Sequence, residues 1–162
     1  MVMAMTTVDH TIFPRDGRQS ERAEAIQRGL GRFLRAAGYA LVTELSLASG
    51  RRADIVGLSA NGDIWIVEIK SSVEDFRADR KWEEYRLYCD RLFFATHADV
   101  PAEIFPDEAG FILADGYGAE LLRPAPEHRL SAARRKAMLI RFSHAAAHRL
   151  HNFIDPEMGL TF

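Results

Sequence analysis

The alternation of apolar and polar residues changes period along the chain, and this change separates helices from strands. Apolar side chains return every three or four positions from Ser20 to about Ala37, and Gly38 follows. This period, with a serine cap and a glycine stop, predicts a helix. Runs rich in β-branched residues come next and predict three strands, at residues 39–47, 51–59 and 63–71.

The second half of the chain mixes the same signals. Ser72, with an acid three residues later, is typical of a helix cap and begins a helix predicted over residues 73–88. A strand at 91–96, a loop, a strand pair in "GFILADG" and "AELLR", and a last helix at 131–153 complete the pattern. The order α-β-β-β-α-β, then β-β-α, predicts an α/β protein whose mixed central sheet is flanked by helices.

The turn between the second and third strands decides which of their side chains share a face. A two-residue loop would pair Asp54 with Ile69, whereas a three-residue loop would pair Asp54 with Glu68. We predict the longer loop, because Gly62 can take a positive φ without steric cost. Asp54, Glu68 and Lys70 then lie on one face, at the end of a sheet that is apolar on both sides.

These charges need an explanation, because unpaired charge is costly in a strand that is buried on both faces. Two adjacent carboxylates repel each other unless a cation lies between them, and oxygen ligands suit Mg²⁺ or Mn²⁺. A water polarised by such a metal and positioned by Lys70 could attack a phosphodiester. The alternative is a structural ion pair between Glu68 and Lys70, since Glu-x-Lys is a common tripeptide.

Composition restricts the class of protein. The 162 residues suit one domain over residues 1–162, with a core at about 20–123 and a C-terminal helix at about 131–153. No segment has the apolar length of a membrane span and the N-terminus lacks a signal-peptide pattern, so we expect a cytoplasmic protein without a membrane partner. The formal charge of −2 means that any nucleic-acid binding depends on local arrangement.

The motif around these acids resembles a known group of enzymes. Residues 51–54, "RRAD", followed by residues 67–72, "VEIKSS", resemble the PD-(D/E)xK nuclease superfamily. Within it, the longer stretch from "GRRADIVGL" to "KWEEYRLYCDRLFFAT" is similar to the MmcB family of bacterial DNA-repair proteins, over roughly residues 38–123. The resemblance implies a single nuclease-like domain with a restriction-endonuclease-like core, a divalent metal, and a role in the response to DNA damage.

The resemblance also implies roles for particular residues. Asp54 and Glu68 would bind the metal, and the main-chain carbonyl of Ile69 would be a further ligand. Lys70 would orient or activate water. Ala53 stands where the superfamily is named for a proline, a substitution that many members share.

Many members of the superfamily supply an additional acid from the first helix or the first strand. Glu24 falls outside the apolar stripe of the first helix, so we expect it to be exposed. Glu44, in the middle of the first strand, is our preferred candidate for a further metal ligand, although an ordinary edge-strand residue would fit the same position.

The helix predicted after the motif carries Lys81 in the middle of an aromatic stripe. A lysine there either snorkels, with its stem over apolar surface, or faces a phosphate. Because two of only three lysines fall near the predicted site, we interpret Lys81 as a catalytic residue. Tyr85 is a candidate neighbour for DNA contact, and Ser72 borders the site besides capping the helix.

The last helix carries four basic residues that are candidate contacts to a DNA backbone, although a solvated basic segment is the commoner case. They are Arg134, Arg135, Lys136 and Arg141. The histidines at positions 144, 148 and 151 share a face with Arg141, and we interpret them as solvated rather than metal-binding.

These observations predict a metal-dependent DNA nuclease in repair, using Mg²⁺ or Mn²⁺, with DNA and other repair proteins as partners. The alternative is a DNA-binding module that keeps the fold and recruits other repair proteins without cutting DNA.

Overall fold

A computed structural model describes residues 20–158, so the outer ends of the domain predicted over residues 1–162 lie outside the described residues. Six strands in this range form one sheet in the order β1-β2-β3-β4-β5-β6. β1–β2, β2–β3 and β5–β6 pair antiparallel, while β3–β4 and β4–β5 pair parallel. The strands span Ala40–Ser46, Arg52–Leu58, Ile64–Ile69, Arg91–Thr96, Gly110–Ala114 and Ala119–Arg123.

Helices cover both faces of this sheet. α1 (Glu21–Ala36) buries Ile26, Leu30 and Leu34 in a cluster with the β2 and β3 side chains of one face. α3 (Ala132–Ile154) buries Met138 and Phe142 in the cluster on the other face. α2 (Val73–Ala78) and short 3₁₀ segments at Trp82–Tyr88, Ala102–Ile104 and Pro156–Met158 complete the described elements. The predicted α/β architecture with a mixed, flanked sheet is confirmed.

The hairpin register is also confirmed. Leu58 pairs with Ile64, and the Ser59 N–H donates to the Asp63 carbonyl, which leaves a three-residue loop that ends at Gly62. Gly62 has a φ of +89°. Continuing the ladder places Asp54 opposite Glu68, because a loop of this length leaves both side chains on the same face.

The single helix predicted over residues 73–88 is wrong. α2 ends at Ala78, and a separate 3₁₀ helix begins at Trp82. Between them, the Asp79 carboxylate accepts hydrogen bonds from Arg51 and Lys70, and its Oδ1 also accepts the Lys81 backbone N–H at 3.3 Å. An aspartate that bonds nearby backbone and distant cations competes with helix continuation, so the helix ends there.

α3 closely follows the predicted bounds. Its buried residues, Met138 and Phe142, lie in its N-terminal half, whereas Leu150 and Phe153 near its end are 59% and 52% exposed. Across residues 20–158, none of the helices combines the length and apolar content that a bilayer span requires.

Candidate active site

Asp54 and Glu68 are held by each other's strand. The Asp54 backbone N–H donates to Glu68 Oε1 at 3.0 Å, and the Ile69 N–H donates to Asp54 Oδ2 at 2.7 Å. Both acids and Ile69 line one cavity of about 470 Å³. Since each carboxylate is fixed by a backbone amide of the neighbouring strand, the pair is held rigidly on a sheet rather than on a loop.

Burial makes ionisation of both acids unfavourable. Burial, and then the negative charge of Glu44, raise the pKa of Asp54 to about 7, although the Ile69 amide opposes the change. Burial and the Asp54 charge hold the pKa of Glu68 well above its usual range. A cation bound between these carboxylates would offset both effects.

The donor set fits a hard divalent cation. Mg²⁺ is bound through one or two carboxylates with several waters, and Asp54 and Glu68 supply two carboxylates that face the same cavity. No group of three or more His, Cys, Asp or Glu side chains within residues 20–158 is arranged to hold a metal ion. A metal here would therefore complete its coordination with main-chain oxygen and water.

Lys70 lies at the end of β3 and is anchored by β4. Its N–H donates to the Ala95 carbonyl, and its own carbonyl accepts the Thr96 hydroxyl at 2.6 Å. The buried ammonium of Lys70 is 2.9 Å from Asp79 Oδ2. The lysine of the motif thus reaches the cavity wall in an ion pair that the sequence did not predict.

Asp79 is shared by two cations. Its Oδ1 atom lies 2.8 Å from the Arg51 guanidinium, while Oδ2 binds Lys70. Burial would raise the pKa of Asp79, but the hydrogen bonds from Lys70 and Arg51 hold it below its usual value. Asp79 and Arg51 are the functional candidates that sequence reasoning missed. The only available signal was a helix with an aspartate in its middle, which is a weak one.

Tyr85 forms part of the cavity wall. It is buried, its hydroxyl donates to the Arg52 carbonyl at 3.2 Å, and the Arg51 guanidinium stacks 4.5 Å from its ring centre. Burial, followed by the charge of Glu68, raises the pKa of Tyr85. Its predicted role as a DNA contact is not supported by this position, because the ring orients Arg51 instead of projecting from the surface.

Glu44 lies beside the two acids, on the edge strand. The β1–β2 register places it opposite Asp54, and it lines the same cavity. Its φ is +51°, and its carboxylate lies 2.5 Å from Arg52 Nε. The structure therefore brings Glu44 to the site, but paired with an arginine. Glu24 is half-buried, not exposed as expected, and does not line the cavity.

Lys81 and Ser72 were placed at the site by the sequence, and the structure does not bring them there. Lys81 is exposed and does not line the cavity, because the helix break at Asp79 turns the following segment away. Ser72 caps α2 by accepting the Asp75 N–H at 3.0 Å, and it too lies outside the cavity lining.

The four basic candidates on α3 separate into two groups. Arg135 makes a bidentate ion pair with buried Asp90 at 2.6 and 2.8 Å and also donates to the Gly62 carbonyl, so it holds α3 to the hairpin instead of facing DNA. The remaining three are exposed: Arg134, which donates to the Leu87 carbonyl; Arg141, which donates to the Ser46 carbonyl; and Lys136.

A mixed sheet that carries a half-buried and a buried acid on paired strands, followed by a lysine, defines an α/β protein with a candidate metal site at the end of its sheet. The MmcB-like family of DNA repair proteins matches residues 11–157, and the chain belongs to this family. The comparison with curated proteins gives no match.

Two solved structures are similar to this chain to very different degrees. SPO1766, a protein of unknown function from Silicibacter pomeroyi, is 44% identical with a TM-score of 0.83, covering 89% of this chain and 98% of that chain. A repair endonuclease from Pyrococcus abyssi is 18% identical with a TM-score of 0.32, covering 48% of this chain and 39% of that chain. A likeness at the second level does not bear on this chain's fold or function.

Proposed function

We propose that this protein is a metal-dependent DNA nuclease that acts in repair. The observation that carries the proposal is the pair Asp54 and Glu68, a half-buried and a buried carboxylate fixed by reciprocal backbone hydrogen bonds in one cavity. A folded protein keeps such a pair at a cost in stability, because both charges are desolvated. Binding of a divalent cation and a phosphodiester would explain why the protein retains this unfavourable pair.

Asp54, Glu68 and the main-chain carbonyl of Ile69 would hold Mg²⁺ or Mn²⁺. Such an ion would supply Lewis-acid chemistry for polarising water and a phosphoryl oxygen. Lys70 positions the water and stabilises negative charge that develops on the phosphate. Arg51 lies against Asp79 and the Tyr85 ring, so it fixes the acid that orients Lys70.

A cleavage assay over flaps, junctions, nicked duplexes and abasic duplexes, with Mn²⁺, Mg²⁺ or EDTA, tests the proposal. We expect metal-dependent cleavage by the wild-type protein and its loss in Asp54→Asn, which keeps the side-chain size but removes the charge. Glu103→Gln, a neutralised acid that is exposed on the short 3₁₀ helix Ala102–Ile104, is the matched control and should cleave normally. Cleavage that survives in both variants would point to a contaminating nuclease and remove the support for this site.

A second candidate function is DNA binding without cleavage, with recruitment of other repair proteins. One observation favours it: the Lys70 ammonium is already paired with Asp79 at 2.9 Å, and Glu44 with Arg52 at 2.5 Å. Charges that are paired in this way are less available to a metal or a phosphate. Intact DNA after prolonged incubation with Mn²⁺, together with retained DNA binding, would establish this candidate and exclude the nuclease. For either function we propose DNA as the partner and the cytoplasm as the location.

A further inference from the structure

The charge of α3 is one-sided in a protein of nearly balanced charge. The chain has a formal charge of −2, yet residues 132–154 contain no aspartate or glutamate. The same segment contains five basic residues and three histidines. A helix of this composition attracts a polyanion, because apart from Arg135, which pairs with Asp90, its basic residues have no acid on the helix itself to neutralise them.

A groove of about 430 Å³ runs between this helix and the edge strand β1. Its apolar lining includes Ala137, Ile140 and Ala145. Its polar lining includes Arg141, His144 and His148, three residues that are exposed. The two histidine rings lie 5.9 Å apart, centre to centre, in an edge-on arrangement.

The groove lies next to the cavity that holds the two acids. Glu44 lines both of them. Its negative charge is balanced there by Arg52, whose Nε lies 2.5 Å from the carboxylate. A strand of DNA with a phosphate beside Asp54 and Glu68 can therefore extend past Glu44 into the groove without meeting an unbalanced acid.

An apolar groove lining suits single-stranded DNA better than double-stranded DNA. A duplex presents phosphates and sugars to a protein surface, while its base faces are covered by stacking. An unpaired nucleotide exposes a base face as well, and proteins bind it by combining a basic track with side chains on which the base can lie. Ile140, which is 51% exposed, and the two histidine rings all line the groove.

We propose that the groove between α3 and β1 binds a single-stranded segment of DNA next to the acid site, which makes DNA with an unpaired arm the substrate class. The proposal rests on the proposed function in so far as the arm leads away from the Asp54 and Glu68 cavity. The bases of the single-stranded segment contact Ile140 and the rings of His144 and His148, and one of its phosphates contacts Arg141.

Fluorescence anisotropy tests the groove without requiring cleavage. The probes are a labelled blunt duplex and the same duplex with a single-stranded flap, in EDTA and at one fixed salt concentration. The variant Ile140→Asp with His144→Glu adds two negative charges to the groove. We expect its affinity for the flap to fall about tenfold or more, because the unpaired bases lose the His144 ring and meet added negative charge, and its affinity for the blunt duplex to change little.

The matched control makes the same kind of change at the opposite edge of the sheet. Tyr117→Glu with Leu122→Asp alters two exposed residues, 83% and 49% exposed, in the turn before β6 and in β6 itself. It should bind both probes like the wild type. Thermal unfolding of all three proteins verifies that each variant is folded.

The remaining outcomes separate this inference from the proposed function. An equal loss on flap and blunt duplex would overturn the single-strand assignment, and unchanged flap binding in the groove variant would overturn the groove itself. Flap-selective loss in a protein that never cleaves DNA would support the groove and remove the nuclease. A wild-type protein that does not bind the flap would overturn the groove, while the nuclease is tested separately by the cleavage assay with Mn²⁺ or Mg²⁺.

Discussion

The Nζ atom of Lys70 lies 2.9 Å from Oδ2 of Asp79, so the lysine of the strand motif is held by an acid nine residues further along the chain. Asp79 reaches it because α2 ends at Ala78 and the chain leaves the helical path there. The same carboxylate binds Arg51 at the start of β2. Asp79 thus binds a residue next to β2 and a residue next to β3, and it lines the same cavity as the two acids.

Replacement of Asp79 should destabilise the fold. The side chains of Lys70 and Asp79 are 7% and 12% exposed, so Asp79→Asn leaves a buried ammonium without its charge partner. We expect the free energy of unfolding to fall by about 3 kcal/mol, measured by urea denaturation. Glu74→Gln, at an exposed acid of α2, should change it by less than ~0.5 kcal/mol. Equal effects of the two substitutions would show that the pair is as weak as a surface ion pair.

The raised pKa values of Asp54 and Glu68 predict an unusual dependence of stability on pH in the metal-free protein. The pKa of Asp54 is about 7 in the folded state, above its ordinary value, so ionisation opposes folding. Its contribution to stability is complete below about pH 4 and is lost as the pH rises through about 7. The pKa of Glu68 is raised as well, which adds to the same trend.

Denaturation in EDTA between about pH 5 and pH 8 measures this trend, since ordinary carboxylates are already ionised there. The free energy of unfolding should decline toward pH 8, with a smaller decline in Asp54→Asn. Addition of Mg²⁺ should stabilise the wild type more at the upper end of the range, because a metal binds the ionised acids. Identical pH profiles of wild type and variant would mean that Asp54 ionises normally.

Lys81 should behave as an ordinary surface lysine. Because Lys81 is exposed outside the cavity lining, Lys81→Met should preserve the fold and lower DNA affinity only slightly. Lys136→Met, at an exposed lysine of α3, removes the same charge and is the natural comparison. DNA binding and cleavage should respond equally and weakly to both. A large effect confined to Lys81 would return that residue to the site.

The parts of the site that depend on local chemistry could be predicted from the sequence. The hairpin register followed from one glycine and the length of one turn, and it placed Asp54 opposite Glu68. The helix caps at Ser20 and Ser72 likewise depend on neighbouring residues only.

The parts that could not be predicted depend on partners distant in the sequence. Arg51 lies 28 residues from Asp79, and Arg135 lies 45 residues from Asp90. Periodicity indicated a continuous helix through residue 79 and a solvated Arg135, because no local pattern reports an ion pair formed by folding. Tertiary contacts overrode helix propensity at Asp79 and removed Arg135 from the surface available to DNA.

Glu44 offers a test of strain at the edge of the site. Its φ of +51° is in the left-handed region, where a side chain costs of order 1 kcal/mol or more, and Arg149 of α3 donates to its carbonyl at 3.1 Å. Both Glu44→Ala and Glu44→Gly remove the carboxylate and its pairing with Arg52, but only glycine relieves the backbone strain. We therefore expect the glycine variant to be more stable than the alanine variant by about 1 kcal/mol in urea denaturation, the reverse of the usual order within a strand.

The pair of variants cancels the effect of the lost charge, so the difference in their free energies of unfolding reports the backbone alone. If the alanine variant is as stable as the glycine variant, or more stable, β1 relaxes to an ordinary strand conformation at residue 44 once the carboxylate is gone. The unusual backbone would then be imposed by the pairing of the carboxylate with Arg52.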